Sequence, residues 1–237
     1  MAVTVLDAAF DWFGYVDDVF STWRDDTEVQ RLARGELQRA DVNDDLRAVL
    51  ALCDRVTEES RGAFDITFAD DPRVAARDGF APIDPSGLVK GWALDRAASM
   101  LQQHGLVNFS INAGGDVIVR GHPEPGASWR VGIQHPWERT SVAAVVGGTD
   151  LAVATSGRYE RGEHIIDPRT GEHPYGLMAV TVVGSELALA DGYATAAVVM
   201  GIDGMGWLAE VDGVEAMGIT DDHAVVTTTG FDLYRLA

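Results

Sequence analysis

The stretch Asp84-Pro85-Ser86-Gly87-Leu88-Val89-Lys90-Gly91-Trp92-Ala93-Leu94-Asp95, together with the residues up to Asp116, most constrains the fold. It reads as a loop feeding a helix, in which Leu94, Ala97, Ala98 and Leu101 recur at helical spacing. Ser86 is placed to cap the start of that helix, and Gly105 suits the left-handed position after its end. Val107-Asn108-Phe109-Ser110-Ile111 then alternates as a strand does, and Asn112-Ala113-Gly114-Gly115-Asp116 turns the chain. Loop, helix, strand and glycine turn together bring a lysine, several backbone amides and acidic groups near one another. That lysine, Lys90, is the only one in the sequence. The plain alternative is an ordinary helix–strand unit with a glycine hairpin.

A length of 237 residues with 46% hydrophobic content supports a sizeable core without staples. The single cysteine, Cys53, excludes an internal disulfide and lies on the apolar helical face Val49-Leu50-Ala51-Leu52-Cys53. No apolar run reaches the length of a membrane span, and no basic-then-apolar leader opens the chain. A cytoplasmic protein is the expectation. The formal charge of −19, from 37 acidic and 18 basic residues, excludes the basic face that a nucleic-acid binder needs. The same field repels anionic small ligands. A phosphate-bearing ligand would need a divalent cation, helix N-termini or a few placed cations. The plain alternative, that composition bias has put Arg in place of Lys, explains the missing lysines but not where the one lysine sits.

Along the rest of the chain, Phe10, Phe13 and Val19-Phe20 predict an N-terminal helix that breaks at Ser21–Asp26. Thr27 caps a second helix, and Asp41 or Asn43 a third with Leu46, Val49, Leu50, Cys53 and Val56 on one face. Trp23 stands at the break; local pattern favours core packing, and stacking on a flat ligand is the other reading. Arg61–Phe68 reads as strand-like. After residue 107 the pattern is largely β: Val142–Val146 and Leu151–Ala154 flank Gly147-Gly148 as a hairpin, and His164–Asp167 reads as a short strand entering a turn. Ala179–Val183 is a strand. Leu187–Met200 is helical with Asp191 in its first turn, residues 204–210 form a short helix, and Val214–Ile219 pairs with Ala224–Thr228. No repeat or linker appears, so residues 1–237 form one α+β domain.

Asp191 and Thr195 lie one helical turn apart on one face. A carboxylate with a hydroxyl suits a hard cation such as Mg2+; equally, the Asp suits the helix dipole and the Thr a backbone carbonyl. His164 beside a glycine-rich loop reads either as a general base or as a structural histidine. Thr155-Ser156-Gly157 lacks a nucleophile elbow, and Gly114-Gly115 is not a dinucleotide fingerprint. No His/Cys spacing supports zinc.

The order of motifs is more specific than any one of them. Trp23 after Ser-Thr, Gly-Ala-Phe-Asp at 62–65, Asp-x-x-Gly-x-x-Lys-Gly at 84–91, Asn-Ala-Gly-Gly-Asp at 112–116, Thr-Ser-Gly-x-Tyr at 155–159, His-Ile-Ile-Asp-Pro-x-Thr-Gly at 164–171 and Ala-Asp-x-Tyr-Ala-Thr-Ala at 190–196 come one after another. Together they resemble the FAD:protein FMN transferase (ApbE) family over about residues 10–230. The resemblance implies an α+β fold with an FAD cleft. It implies Mg2+-dependent transfer of FMN from FAD to a Thr or Ser hydroxyl of an acceptor protein, with release of AMP. By motif it implies Asp191, Thr195 and the Gly87 carbonyl as metal ligands. Trp23, Ala63, Phe64, Asp65, Asp84, Lys90 and Ile165 would contact FAD. Asn112, Gly114, Gly115 and Ser156 would shape the cleft, and His164 would deprotonate the acceptor hydroxyl. The chain departs from the family at Met1–Leu6, where a Met-Gly-Thr strand is usual, and in the short segment between Thr67 and Asp84. An FAD pyrophosphatase and a non-catalytic flavin-binding protein are the alternatives.

Overall fold

Six α-helices and eight β-strands follow one another in a computed structural model that describes residues 2–68, 82–159 and 165–236. The N-terminal helices are α1 (Ala2–Phe20), α2 (Glu28–Ala33), α3 (Asp44–Glu59) and α4 (Ser86–Gln103). Strands β1 (Phe109–Ala113), β2 (Asp116–Arg120), β3 (Trp129–Gln134), β4 (Val142–Gly148), β5 (Leu151–Gly157) and β6 (Leu177–Gly184) come next. The chain closes with α5 (Leu187–Met200), α6 (Ile202–Leu208), β7 (Val214–Thr220) and β8 (Val225–Thr227).

An antiparallel six-stranded sheet in the order β1-β2-β5-β6-β7-β8 carries the architecture, and β3 and β4 pair as a separate ribbon. Side-chain alternation sends the residues of each strand to two faces. Ile118, Ala152, Ala154, Val180, Val182 and Ala216 face the helices and join the larger core. Val117, Val119, Val153, Val183, Met217 and Ile219 face the ribbon, whose Val131, Ile133 and Val146 complete a second core. The mixed α+β architecture expected from the sequence is present, as three layers. Among the described residues no helix is long and apolar enough to cross a membrane.

Helix starts follow their local chemistry. Thr27 caps α2 through the amide of Gln30, and Asn43 caps α3 through that of Leu46. The buried face of α3 is Leu46, Val49, Leu50, Cys53 and Val56, as the spacing predicts. Ser86 makes no side-chain cap on α4, because it is already the first helical residue with Pro85 in the cap position; its amide donates to Asp84 Oδ1 at 3.0 Å. Gly105 is left-handed (φ +85°), as expected at a helix end. Asp95 on α4 accepts the amides of Leu187 at 3.1 Å and Ala188 at 2.9 Å, so one helix caps the other. Trp12 of α1 donates to the Ala93 carbonyl at 2.9 Å and packs against Trp92, which fixes α1 on α4.

Several sequence expectations fail for identifiable reasons. Residues 61–68 form turns rather than a strand, since Arg61 (φ 52°) and Gly62 (φ 81°) are both left-handed. Among residues 165–167 there is no strand either; Asp167 instead closes a turn by accepting the amides of Thr170 and Gly171 through its carbonyl. Gly147 and Gly148 are not a hairpin turn but the last residues of β4, which pairs with β3 while β5 pairs with β2 and β6. A Cβ at Gly147 would stand 2.6 Å from the Trp129 carbonyl oxygen, so close strand approach explains this glycine. Asp191 lies at the fifth position of α5, beyond the first turn, so the helix dipole does not account for it.

Candidate active site

The site is assembled by α4 and α5 over the ends of β2 and β5. Gly91 lets the two helices approach: a Cβ there would lie 2.5 Å from the Leu187 carbonyl oxygen. With α4 held so close, Lys90 reaches across to two carboxylates. Its ammonium lies 2.6 Å from Asp116 Oδ2 and 3.9 Å from Asp191 Oδ2. Asp116 belongs to the helix-facing side of β2, in register with Ile118. Its Oδ1 accepts the Thr155 amide at 3.1 Å. Both carboxylates are buried, Asp116 at 1% exposure and Asp191 at 4%. Neither Oδ2 has a hydrogen-bond partner; the Asp116–Lys90 contact is a close ion pair without a hydrogen bond's direction.

Burial pushes the Asp191 carboxyl above the ordinary aspartate range, opposed by the Lys90 ammonium and the Gly91 amide and reinforced by the charge of Asp116. A buried polar atom without a close partner costs free energy, so Asp191 Oδ2, with no hydrogen bond and only a 3.9 Å approach from Lys90, indicates a place built for a cation. One turn along α5, Thr195 Oγ1 lies 2.9 Å from Ser156 Oγ. The Asp191 carboxylate and the neighbouring hydroxyls are hard oxygen donors of the kind Mg2+ takes. Among the described residues no cluster of three or more His, Cys, Asp or Glu side chains could hold a metal. A cation here would therefore complete its shell from hydroxyl, carbonyl, water or ligand oxygens.

The remaining predicted residues fall into three places. Ala63 and Phe64 are buried in the turn after α3, and the Phe64 ring lies against Gly87: a Cβ there would be 3.1 Å from Phe64 Cε2. Asp65 Oδ1 accepts the amide and hydroxyl of Thr67, while the Asp84 amide donates to the Ile66 carbonyl. The 63–66 turn is thereby tied to the start of α4, one turn before Lys90. Ile165 is buried in the helix-side core.

Trp23 is 64% exposed at the break after α1, which overturns core packing. Asn112, Gly114 and Gly115 line a cleft of about 370 Å3 between the ribbon and the opposite face of the sheet, together with Arg130, Thr155 and Tyr159. Gly114 (φ 62°) and Gly115 (φ 100°) make the tight β1–β2 turn that delivers Asp116 to its place. His164 lies outside the described residues. Sequence reasoning named the 112–116 turn but not the carboxylate of Asp116 as Lys90's partner. Its spacing of two from Ile118 in an alternating strand was the available signal.

A helix pair over an antiparallel sheet, with two buried carboxylates, neighbouring hydroxyls and a half-exposed lysine between them, defines an α+β protein with a candidate cation site. Residues 1–80 and 73–218 match the ApbE family, and the chain belongs to that family. An FAD:protein FMN transferase of Vibrio cholerae is 35% identical over 152 residues, 59% of this chain and 46% of that protein. One of Rhodobacter capsulatus is 38% identical over 155 residues, 62% of this chain and 29% of that protein. These alignments span less than half the length of the curated relatives they match. The solved flavin transferase ApbE from Vibrio cholerae superposes with TM-score 0.82 at 26% identity, covering 99% of this chain and 91% of that one. The ApbE protein of Thermotoga maritima has the same fold, with TM-score 0.85 at 23% identity and 99% and 92% coverage.

Proposed function

We propose that this chain is a Mg2+-dependent FAD:protein FMN transferase, acting as one unit over residues 1–237. The observation that carries the reading is the buried Asp191 Oδ2, which has no hydrogen bond and only a 3.9 Å approach from Lys90, beside the Lys90–Asp116 ion pair. The names of the relatives supply the substrate class.

In this reading Asp191, Thr195 and the Gly87 carbonyl hold the cation. Bound there, Mg2+ would supply positive charge against the pyrophosphate oxygens of FAD. Lys90 adds a fixed cation at the rim, which a chain of net charge −19 needs locally if it is to take an anionic substrate. The turn at Ala63, Phe64 and Asp65, with Asp84 and Ile165, lines the substrate site, and the exposed Trp23 ring is presented to a flat aromatic system. Asn112, Gly114, Gly115 and Ser156 shape the surrounding backbone. His164 takes the proton from the acceptor Thr or Ser hydroxyl as its oxygen attacks the FMN phosphorus. The P–O bond to the AMP half breaks and AMP leaves. Positioning and charge account for most of such a transfer, and the base contributes about 10²–10⁴-fold.

The test is incubation with FAD, Mg2+ and an acceptor domain bearing a candidate Thr or Ser, read by in-gel flavin fluorescence and by AMP release. Labelled acceptor that disappears in Asp191→Ala supports the reading. AMP without labelled protein points to a pyrophosphatase, and bound FAD without turnover to a binding protein; either overturns it.

A further inference from the structure

We infer that Asp116 is a positioning residue: it holds the Lys90 ammonium away from Asp191 and so keeps the Asp191 carboxylate open to a divalent cation. This rests on the reading of Asp191 as a cation ligand. Among the described residues the ammonium has two carboxylates within reach, at 2.6 Å and 3.9 Å. In a common dielectric the nearer attraction is roughly half as strong again as the farther one. Lys90 is 42% exposed along a flexible stem, so its resting place is set by its partner rather than by packing. The partner is rigid: Asp116 is anchored through Oδ1 by the Thr155 amide, at the start of a strand in the sheet.

Without the Asp116 charge, the nearest buried carboxylate among the described residues is Asp191. The ammonium would swing onto it, leaving an arriving cation to displace an ion pair. With Asp116 present the roles divide: one carboxylate for the lysine, one for the metal. The lysine stays at the rim, where a phosphate can share it.

The experiment is calorimetric titration of the full chain with MgCl2 alone, without FAD or acceptor. Asp116→Asn keeps the Oδ1 acceptor for Thr155, removes the charge and puts an NH2 donor where Oδ2 met the ammonium. It should weaken Mg2+ binding about ten-fold, within the usual coupling range of a shared ion-pair network. Adding Lys90→Met to that variant should restore affinity to near wild type, because the competing ammonium is gone. A double variant as weak as Asp116→Asn makes Asp116 a direct ligand and overturns the inference. Unchanged affinity in Asp116→Asn, with only a lowered melting temperature, assigns a structural role and also overturns it. Asp191→Asn separates the two levels. If it binds Mg2+ like wild type, the cation reading itself falls; if it loses binding while Asp116→Asn does not, only the positioning role falls. Should Asp116→Asn fail to fold, Lys90→Met alone reads the same contact. With Asp116 already holding the ammonium aside, Mg2+ affinity should stay within about three-fold of wild type, and a tightening of about ten-fold would show that the lysine competes for Asp191 despite Asp116 and would sink the idea.

Discussion

Gly91 and Leu187 set the spacing of the two helices that carry the site: a methyl group on Gly91 would press to 2.5 Å from the Leu187 carbonyl oxygen and 2.7 Å from the Ala188 nitrogen. Those two residues are also where Asp95 receives the first amides of α5. The contact that brings Lys90 to Asp191 is therefore the one that starts α5. Both atoms facing Gly91 are backbone, so α4 must move to admit a side chain. Gly91→Ala should destabilise the chain by about 1–3 kcal/mol, the usual range for overpacking. It should also weaken Mg2+ binding, since the helices part. Thermal melts with and without MgCl2 measure both; a variant as stable as wild type would contradict the close approach.

Asp167 and Arg169 hold the turn after residue 166. The Arg169 amide and Nε donate to Asp167 Oδ1 at 2.9 and 2.8 Å, and a terminal nitrogen to Oδ2 at 2.7 Å. Hydrogen bonds from Arg169 hold the Asp167 carboxyl below its ordinary value of 3.8. A depressed carboxyl stabilises the folded state above its unfolded value, and that stabilisation is lost as pH falls through the lower folded one. Arg169 is partly exposed, which limits the effect. Arg169→Ala should thus cost about 0.5–1 kcal/mol near neutral pH, and the difference should shrink below pH 3.8. Urea unfolding at several pH values checks this; a difference constant with pH would remove the linkage.

How much of this was legible depended on whether the signal was local. The bounds of α5 and the buried face of α3 follow from periodicity alone, and both are observed. Gly147-Gly148 misled because glycine marks a turn and a close strand contact alike; residues far off in sequence, Trp129 and Leu236, decide between them. Trp23 misled similarly, since an aromatic at a helix break looks the same in sequence whether it is packed or exposed. For the site, Asp191, Thr195 and Lys90 stood out by spacing and rarity. Asp116 and Asp95 did not, because their roles are defined by partners on other elements.

Cys53 offers a chemical test of the helix-side core. It is fully buried on α3, and desolvation pushes its thiol up to about 12. The thiolate is the reactive form, so native protein should be inert to a disulfide-exchange reagent near neutral pH. One equivalent should react after unfolding in urea, there being one cysteine in the chain. Fast labelling of native protein would show that the α3 face opens.

Thr195 separates the hydroxyl's work from the space it fills. Its Oγ1 lies 2.9 Å from Ser156 Oγ on β5, one helical turn from Asp191. Thr195→Val keeps the branched shape but leaves the Ser156 hydroxyl without this partner, which costs about 1 kcal/mol if water does not replace it. Under the cation reading it also removes a metal ligand, so Mg2+ binding should weaken. Thr195→Ser keeps the hydroxyl and loses one methyl, a change that lowers stability by about 1 kcal/mol where the site is half-buried. The two variants should therefore melt alike and bind Mg2+ differently, with serine near wild type and valine much weaker. Calorimetry on both, alongside melting curves, reads the two effects independently. If valine binds Mg2+ as serine does, the Thr195 hydroxyl serves only to join α5 to β5.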